Sequence, residues 1–475
     1  MSTPSAFDAI VVGSGPNGLA AAITLQRAGV QVLLMEAKQT IGGGMRTTEL
    51  TLPGFNHDVC AAVHPMGIAS PFLQSLPLQE FGLEFVHPDV AAAHPFDDGT
   101  AAALYPSLSK TADELEADGS AYRKLFEPLV DSWPRIDTHI LGPMLRVPKS
   151  PLPLAAFGLK SLQSAKRIAA RFQTHRAKGL WAGIAAHSMI PLEELTSAAV
   201  AFVLTIAGHR HGWPIPKGGS QSIANAMAAY FRSLGGIIQT DAEVKSLDRL
   251  PEAKAVLFDT STRQLLEICG DRISSLYRWQ LQRHRYGMGV FKVDWALSDP
   301  VPFRSAVARR AGTVHLGGTF DEIAGGERQV WRGGHPESPF VLFAQQSVFD
   351  TSRAPSGQHT GWAYCHVPHG SKHDMTEAIT RQVERFAPGF RDTVRATHTF
   401  NTAQMERYNA NYIGGDINGG VVNIAQLFNR PALRFSPYRT SAKGVYICSA
   451  STPPGGGVHG MCGYYAAKQA LTDIF

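Results

Sequence analysis

The sequence predicts an α/β fold. A parallel-sheet unit of Rossmann type is assembled from separated parts of the chain and carries a second domain of mixed or antiparallel sheet plus helices. Three observations predict it. A glycine-rich turn, Gly13-Ser14-Gly15-Pro16-Asn17-Gly18, lies between an apolar run, Phe7 to Val12, and a small-residue helix, Leu19 to Ala28. A second apolar strand, Gln31 to Met35, comes next and ends at Glu36. Near the C-terminus a second glycine-rich turn, Pro453 to Val458, again joins a short strand to a helix.

The first turn has the G-x-G-x-x-G spacing of a dinucleotide site, in the strand-turn-helix context that gives the spacing meaning. Gly13 permits the tight turn out of the strand, Gly15 lets a pyrophosphate approach the backbone, and Gly18 lets helix and strand pack closely. The helix N-terminus offers free N–H groups to phosphate oxygens. Ser14, Pro16 and Asn17 complete this wall. Glu36, with Ala37 beside it, lies roughly 20 residues past the glycines, where an acid accepts ribose hydroxyls.

A chain of 475 residues is too long for one ordinary core and predicts two or three domains. Charged residues are 17% and hydrophobic residues 44%, which points to extensive buried surface, an apolar cavity or a membrane-facing patch. A net charge of +5 without a basic-aromatic array argues against nucleic acid. Five scattered cysteines without C-x-x-C fit a reducing compartment with no disulfide frame and no cysteine-based metal site. No metal ligand set is expected. The first strand begins almost at once, the residues before it show no basic n-region, long apolar h-region or small-residue cleavage site, and no run of roughly 20 apolar residues appears. A cytoplasmic protein is expected.

After Glu36 comes Ile41-Gly42-Gly43-Gly44-Met45-Arg46-Thr47, where consecutive glycines open the backbone to a ligand and Arg46 adds a fixed cation. The continuation is Leu52-Pro53-Gly54-Phe55-Asn56-His57-Asp58 and then Ala62-Val63-His64-Pro65. These segments resemble the second FAD signature of the amine oxidase and phytoene desaturase superfamily, and most closely its phytoene desaturase-like branch. The resemblance implies FAD, with Gly43, Gly44, Met45 and Arg46 along its pyrophosphate and under the flavin. His57 and Asp58 are expected to hold the loop.

Residues from about 68 to 210 read as mostly helical. Asp113 to Leu129 reads as one helix, and Pro134, Pro143, Pro148, Pro151 and Pro153 then break the chain into short pieces. Across 159–178, Leu159, Leu162, Ala165, Ile168, Ala169 and Phe172 recur at helical spacing among six basic residues, a basic amphipathic helix. It is either a cap packed on its own domain or a peripheral contact with an anionic membrane.

Gly212 to Ser220, the helix Gln221 to Leu234 and the segment Gly235 to Thr240 resemble the family's return to the FAD domain. The resemblance places a strand near Ala242 to Ser246, with Val244 backbone against the adenine. Ala253 to Asp259 reads as a further strand of that sheet. Alternating runs at Val290 to Leu297, Thr313 to Leu316, Phe340 to Val348 and Gly361 to Val367 predict a mixed or antiparallel substrate-domain sheet. Asn409 to Asp416 is a polar loop, either bordering the site or on the surface.

In the C-terminal module, Gly444 to Ser449 is a strand and His459 to Leu471 a helix. The superfamily sets this helix N-terminus near the flavin N1–C2=O edge, which implies contacts from Ser449, Gly456, Gly457 and Val458. The family usually has glycine where Ser449 stands. The resemblance divides the chain into a discontinuous FAD-binding domain (1–70, 212–275 and 430–475) and a substrate or helical cap domain (71–211 and 276–429). Its chemistry needs no strong general base, which fits a chain without an obvious triad or paired carboxylates. His64, His209, His211, His366 and His459 lie nearest the motifs. His64 and His459 are the candidates for orienting substrate or transferring a proton, the alternative being packing against cofactor or backbone. The function expected is an FAD-dependent oxidoreductase, a dehydrogenase or desaturase taking a hydride from a small apolar, polyene or lipid-like substrate. The alternatives are an amine or amino-acid oxidase, a reduced-FAD isomerase, or a flavin-binding scaffold.

Overall fold

The computed structural model describes residues 7–144 and 146–475. Ala9–Val12 is the centre of a five-stranded parallel sheet with the order Val445–Ile447, Ala255–Phe258, Ala9–Val12, Val32–Met35, Ile237–Gln239. Its inner strands are short apolar runs covered on both faces, the pattern a buried parallel sheet requires. The helix Pro16–Arg27 starts with proline in its first turn, where the missing N–H costs nothing, and is small-residued because it is buried on several sides. It packs against the C-terminal helix Met461–Asp473 so closely that a Cβ on Gly463 would lie 1.8 Å from the Asn17 carbonyl oxygen.

The second sheet has seven strands in the order Val394–Phe400, Gly289–Leu297, His359–Val367, Val341–Ala344, Ala311–Leu316, Val90–Pro95, Ala101–Leu104. Its pairs are antiparallel except Ala311–Leu316 with Val90–Pro95. Side chains alternate between its faces. One face carries Val293, Trp295, Val314, Val341, Phe343 and Ala363 into a core closed by the helix Thr376–Phe386. The other carries Lys292, Asp294, Thr313, His315, Trp362, Tyr364 and His366 toward the rest of the molecule.

Several elements differ from the sequence expectation. Val90–Pro95 and Ala101–Leu104 are strands inside a region read as helical; their alanines favour helix in isolation, and pairing in the second sheet overrides that preference. Asp113 to Leu129 is divided into Leu108–Glu114 and Gly119–Ser132. The amphipathic helix over 159–178 is three helices, Pro151–Ser161, Ala165–Ala169 and His175–Ala186. The second and third restart at Ser164 and Thr174, whose side-chain oxygens accept N–H groups of Arg167 and Ala177. Ile168 and Phe172 face the core while Leu159 is 72% exposed, so they form no common apolar face. The strand expected at 242–246 is absent. The edge strand ends at Gln239, and Asp241 and Ala242 hydrogen-bond to the carbonyls of Lys38 and Glu36, which turns the chain across the sheet end.

Candidate functional site

A cavity of about 950 Å³ runs from the carboxyl ends of the parallel strands to the inner face of the seven-stranded sheet. Gly13, Glu36, Asp259 and Ser449 follow four of those strands and line it. Parallel α/β sheets bind ligands at this edge, because there the helix N-termini converge.

The first turn shows the backbone and packing demands expected at Gly13 and Gly18. Gly13 has φ +97°, and a Cβ on Gly18 would stand 1.9 Å from the Gly13 carbonyl oxygen. The second glycine loop lies directly on the first, since a Cβ on Gly43 would be 2.9 Å from the Gly15 Cα. Glu36 joins the two. Its carboxylate accepts the Ser14 N–H (3.0 Å) and hydroxyl (2.5 Å), the Lys38 N–H (2.9 Å) and the Arg46 guanidinium (3.2 Å). Arg46 also donates to the carbonyls of Thr40 and Gly43 and lies over the Tyr408 ring. Arg46 is therefore a tie between loops as well as a cation at the cavity wall.

Of the residues expected at the cofactor, Gly13, Ser14, Gly15, Pro16, Asn17, Glu36, Ala37, Gly43, Gly44, Arg46, Val244, Ser449, Gly456, Gly457 and Val458 line the cavity. Gly18 and Met45 do not. Gly18 is sealed against Gly13, its N–H donating to Asp259, and Met45 is fully buried core. Val244 reaches the cavity from an irregular segment rather than a strand. Ser449 sits where a small residue is needed; its oxygens accept the N–H groups of Ser451 and Thr452 and shape the loop. The cradle fits FAD on observations of the chain itself. Both glycine loops and the N-terminus of the helix Pro16–Arg27 line the cavity, and Asn17 Oδ1, at that N-terminus, is buried without a partner among the described residues.

The two histidine candidates separate. His459 also lines the cavity, but its Nδ1 accepts the Met461 N–H at 3.0 Å and its carbonyl accepts from Ser70, so it organises the helix start. His64 lines the cavity with Nε2 2.8 Å from Ser220 Oγ. Ser220 Oγ donates its single proton to the Ala61 carbonyl at 2.6 Å, so His64 Nε2 is the donor to Ser220. His64 Nδ1 is then an unprotonated acceptor, buried without a partner among the described residues. Burial pushes the pKa of both imidazoles down to about 4, which keeps them neutral at physiological pH. Asp58 holds this wall from behind, accepting from Ser220 N–H, Thr47 and Arg353.

Sequence reasoning did not single out Asp259, Tyr408, Trp362 and Tyr364 as cavity residues, whereas Asn411 and Tyr412 lie on the loop expected either to border the site or to lie on the surface. Asp259 was legible in principle, since it follows an expected strand at the ligand-binding edge. The loop 409–416 borders the site: Asn411 donates to the Asp259 carbonyl and accepts the Ser261 N–H. Trp362 and Tyr364 stand perpendicular at 5.4 Å on one strand, and Trp362 donates to the Asp58 carbonyl.

The family model described as flavin containing amine oxidoreductase matches residues 17–460. A mouse protein, pyridine nucleotide-disulfide oxidoreductase domain-containing protein 2 (Mus musculus), is 24% identical, over 98% of this chain and 94% of its own. A phytoene desaturase (lycopene-forming) from Paracoccus sp. is 24% identical over 99% of both chains. Among solved structures, the cyclohexylamine oxidase from Brevibacterium oxydans shares the fold with TM-score 0.58 and 18% identity over 99% of both chains.

Proposed function

The chain belongs to the flavin-containing amine oxidoreductase family and is an FAD-dependent oxidoreductase, and we propose that it is a dehydrogenase or desaturase of a small apolar, polyene or lipid-like substrate. The observation that carries this reading is the distribution of charge along the cavity. Its Asp, Glu, Lys and Arg side chains are Glu36, Lys38, Arg46, Glu243, Asp259 and Arg430, and each carboxylate belongs to the dinucleotide edge. The helical wall contributes Leu154, Phe157, Leu162, Val200, Val203 and Leu204. Such a wall binds hydrocarbon by removing it from water and offers an ammonium group no counter-charge.

Bound FAD supplies the acceptor for a hydride. The chain's own residues bind, orient and dehydrate. The glycine turns and Glu36 hold the dinucleotide half, and the aromatic and aliphatic walls exclude water from the reacting carbons. His64 Nδ1 is the neutral acceptor available to take the proton that leaves the neighbouring carbon. The grouping of Trp362, Tyr364, Tyr408 and Tyr412 favours a second reading, an oxidase that takes its amine uncharged between aromatic rings.

The rim favours delivery from a lipid surface. Val147, Leu152, Leu159, Phe428 and Phe435 are 92%, 82%, 72%, 50% and 84% exposed, and Leu154, Phe157 and Phe428 from the same segments line the cavity. No helix among the described residues is long and apolar enough to cross a membrane. The test is product mass. Holo-protein incubated with a polyene in vesicles and an electron acceptor yields a product lighter by two hydrogens. Products of unchanged mass support an isomerase instead, and amines alone turned over overturn the reading.

A further inference from the structure

The inner face of the seven-stranded sheet brings hydrogen-bonding groups to an otherwise apolar cavity. Its registers set His315 opposite Leu342, Leu342 opposite Tyr364, and Thr313 opposite Ala344. Thr313 and Tyr364 line the cavity from this face. Thr313 Oγ1 is buried, in a residue 1% exposed, and has no hydrogen-bond partner among the described residues. A buried hydroxyl left this way is unfavourable unless something in the cavity satisfies it.

His187 closes the corner from the end of the helix His175–Ala186. It lines the cavity, with Nε2 3.0 Å from His315 Nε2 and its ring edge-on to Trp213. One nitrogen of this pair donates and the other accepts. His315 Nδ1 is buried without a partner among the described residues, and a bare nitrogen is cheaper to bury there than an N–H. His315 therefore carries its proton on Nε2 and donates it to His187. His187 then carries its own proton on Nδ1, as a donor for the cavity. Burial pushes His187 down to about 3 and raises the Tyr364 hydroxyl, so both stay uncharged at neutral pH. The nearby charges are engaged elsewhere: Lys292 by Asp294, and Glu327 by His366 at 2.8 Å.

We propose that Thr313, Tyr364 and His187 form a subsite for one uncharged hydrogen-bonding group, a hydroxyl or carbonyl, carried on the apolar substrate. The proposal rests on the reading of the cavity as a hydrocarbon site and makes the substrate an oxygenated apolar molecule. A neutral donor and hydroxyls that both donate and accept suit an alcohol or a carbonyl equally. They give a carboxylate no counter-charge against its desolvation.

The test uses holo-protein and three probes of one carbon skeleton: geraniol, myrcene and geranate. Binding is read by quenching of intrinsic fluorescence, since Trp213 and Trp362 line the cavity. Wild type binds geraniol about tenfold more tightly than myrcene, about 1.4 kcal/mol, and geranate no more tightly than myrcene. In the double variant Thr313→Val, Tyr364→Phe, both near-isosteric, the alcohol preference falls below about threefold and myrcene binds as before. That retained myrcene affinity also reports a folded cavity. Equal binding of alcohol and hydrocarbon by wild type, tightest binding of geranate, or an alcohol preference that survives in the double variant overturns the subsite and leaves the apolar reading standing. Failure of both geraniol and myrcene to bind overturns the apolar reading itself, and the subsite with it.

Discussion

Asp259 Oδ2 accepts the Gly18 N–H at 2.8 Å, closing the first glycine turn with a residue 241 positions further along the chain. The carboxyl thus occupies the N-terminal end of the helix Pro16–Arg27, beside the expected path of a pyrophosphate. Burial pushes its pKa up to about 7, and the Glu36 carboxylate adds to the rise while the Gly18 N–H opposes it. Below pH 7 Asp259 is a neutral neighbour for phosphate; above it, a like charge.

FAD affinity is therefore expected to weaken several-fold between about pH 6 and pH 8, and Asp259→Asn to flatten that dependence. Titration of apo-protein with FAD at several pH values checks it. The stability sign agrees. Asp259 binds its proton more tightly folded than unfolded, so this group lowers stability as pH rises from about 4 through 7. The Asn variant loses that part of the decline in melting temperature. A wild-type affinity independent of pH removes the carboxyl from the phosphate's surroundings.

The two later glycines of the turn separate binding from folding. A Cβ on Gly15 meets the Asp259 side chain at 2.7 Å, whereas on Gly18 it meets backbone at 1.9 Å. Gly15→Val is expected to purify folded and colourless. Gly18→Ala is expected to lose about 2 kcal/mol or more in denaturant unfolding, since backbone cannot yield as a side chain can. Flavin absorbance per protein and unfolding midpoints distinguish them.

Glu36→Ala removes the acceptor shared by Ser14, Lys38 and Arg46; Arg46 keeps the carbonyls of Thr40 and Gly43, while the Ser14 and Lys38 N–H groups and the ribose hydroxyls expected there lose their partner. The FAD dissociation constant is expected to rise by about 1–3 kcal/mol equivalent. An unchanged constant removes Glu36 from the site.

The histidines give opposite outcomes. His64→Gln keeps a donor for Ser220 and loses the imidazole acceptor, so turnover is expected to fall about 10²-fold with FAD content unchanged. His459→Asn keeps an acceptor for the Met461 N–H, and turnover is expected to stay within about threefold. Steady-state rates per flavin, measured across pH, decide between them.

The rim is checked by vesicle flotation. Leu152→Ser with Phe435→Ser replaces two side chains exposed at 82% and 84%, and is expected to reduce binding to anionic vesicles at least about fivefold without changing the melting temperature. Equal flotation removes the rim from membrane contact.

The dinucleotide half was legible because each of its demands falls on a single residue type at a fixed spacing. Gly13, Gly15, Gly18 and Glu36 are read from local order, and the pairing of Ala9–Val12 with Val32–Met35 comes directly from it. The substrate half depends on contacts that no local pattern encodes. The alanine-rich Val90–Pro95 reads as helix until it pairs with Ala311–Leu316. Helical spacing over 159–178 ignores the capping Ser164 and Thr174, whose hydroxyls restart the chain in new directions. His187 and Thr313 meet one cavity because a helix end and a sheet face converge, and their spacing in the chain carries no sign of it.

The central claim is that this cavity oxidises apolar molecules rather than amines. Anaerobic mixing of oxidised holo-protein with a polyene in vesicles and, separately, with cyclohexylamine and putrescine tests it most directly. Loss of the flavin's visible band with the polyene, and none with either amine, is the predicted result. Loss of the band with an amine and not with the polyene contradicts it.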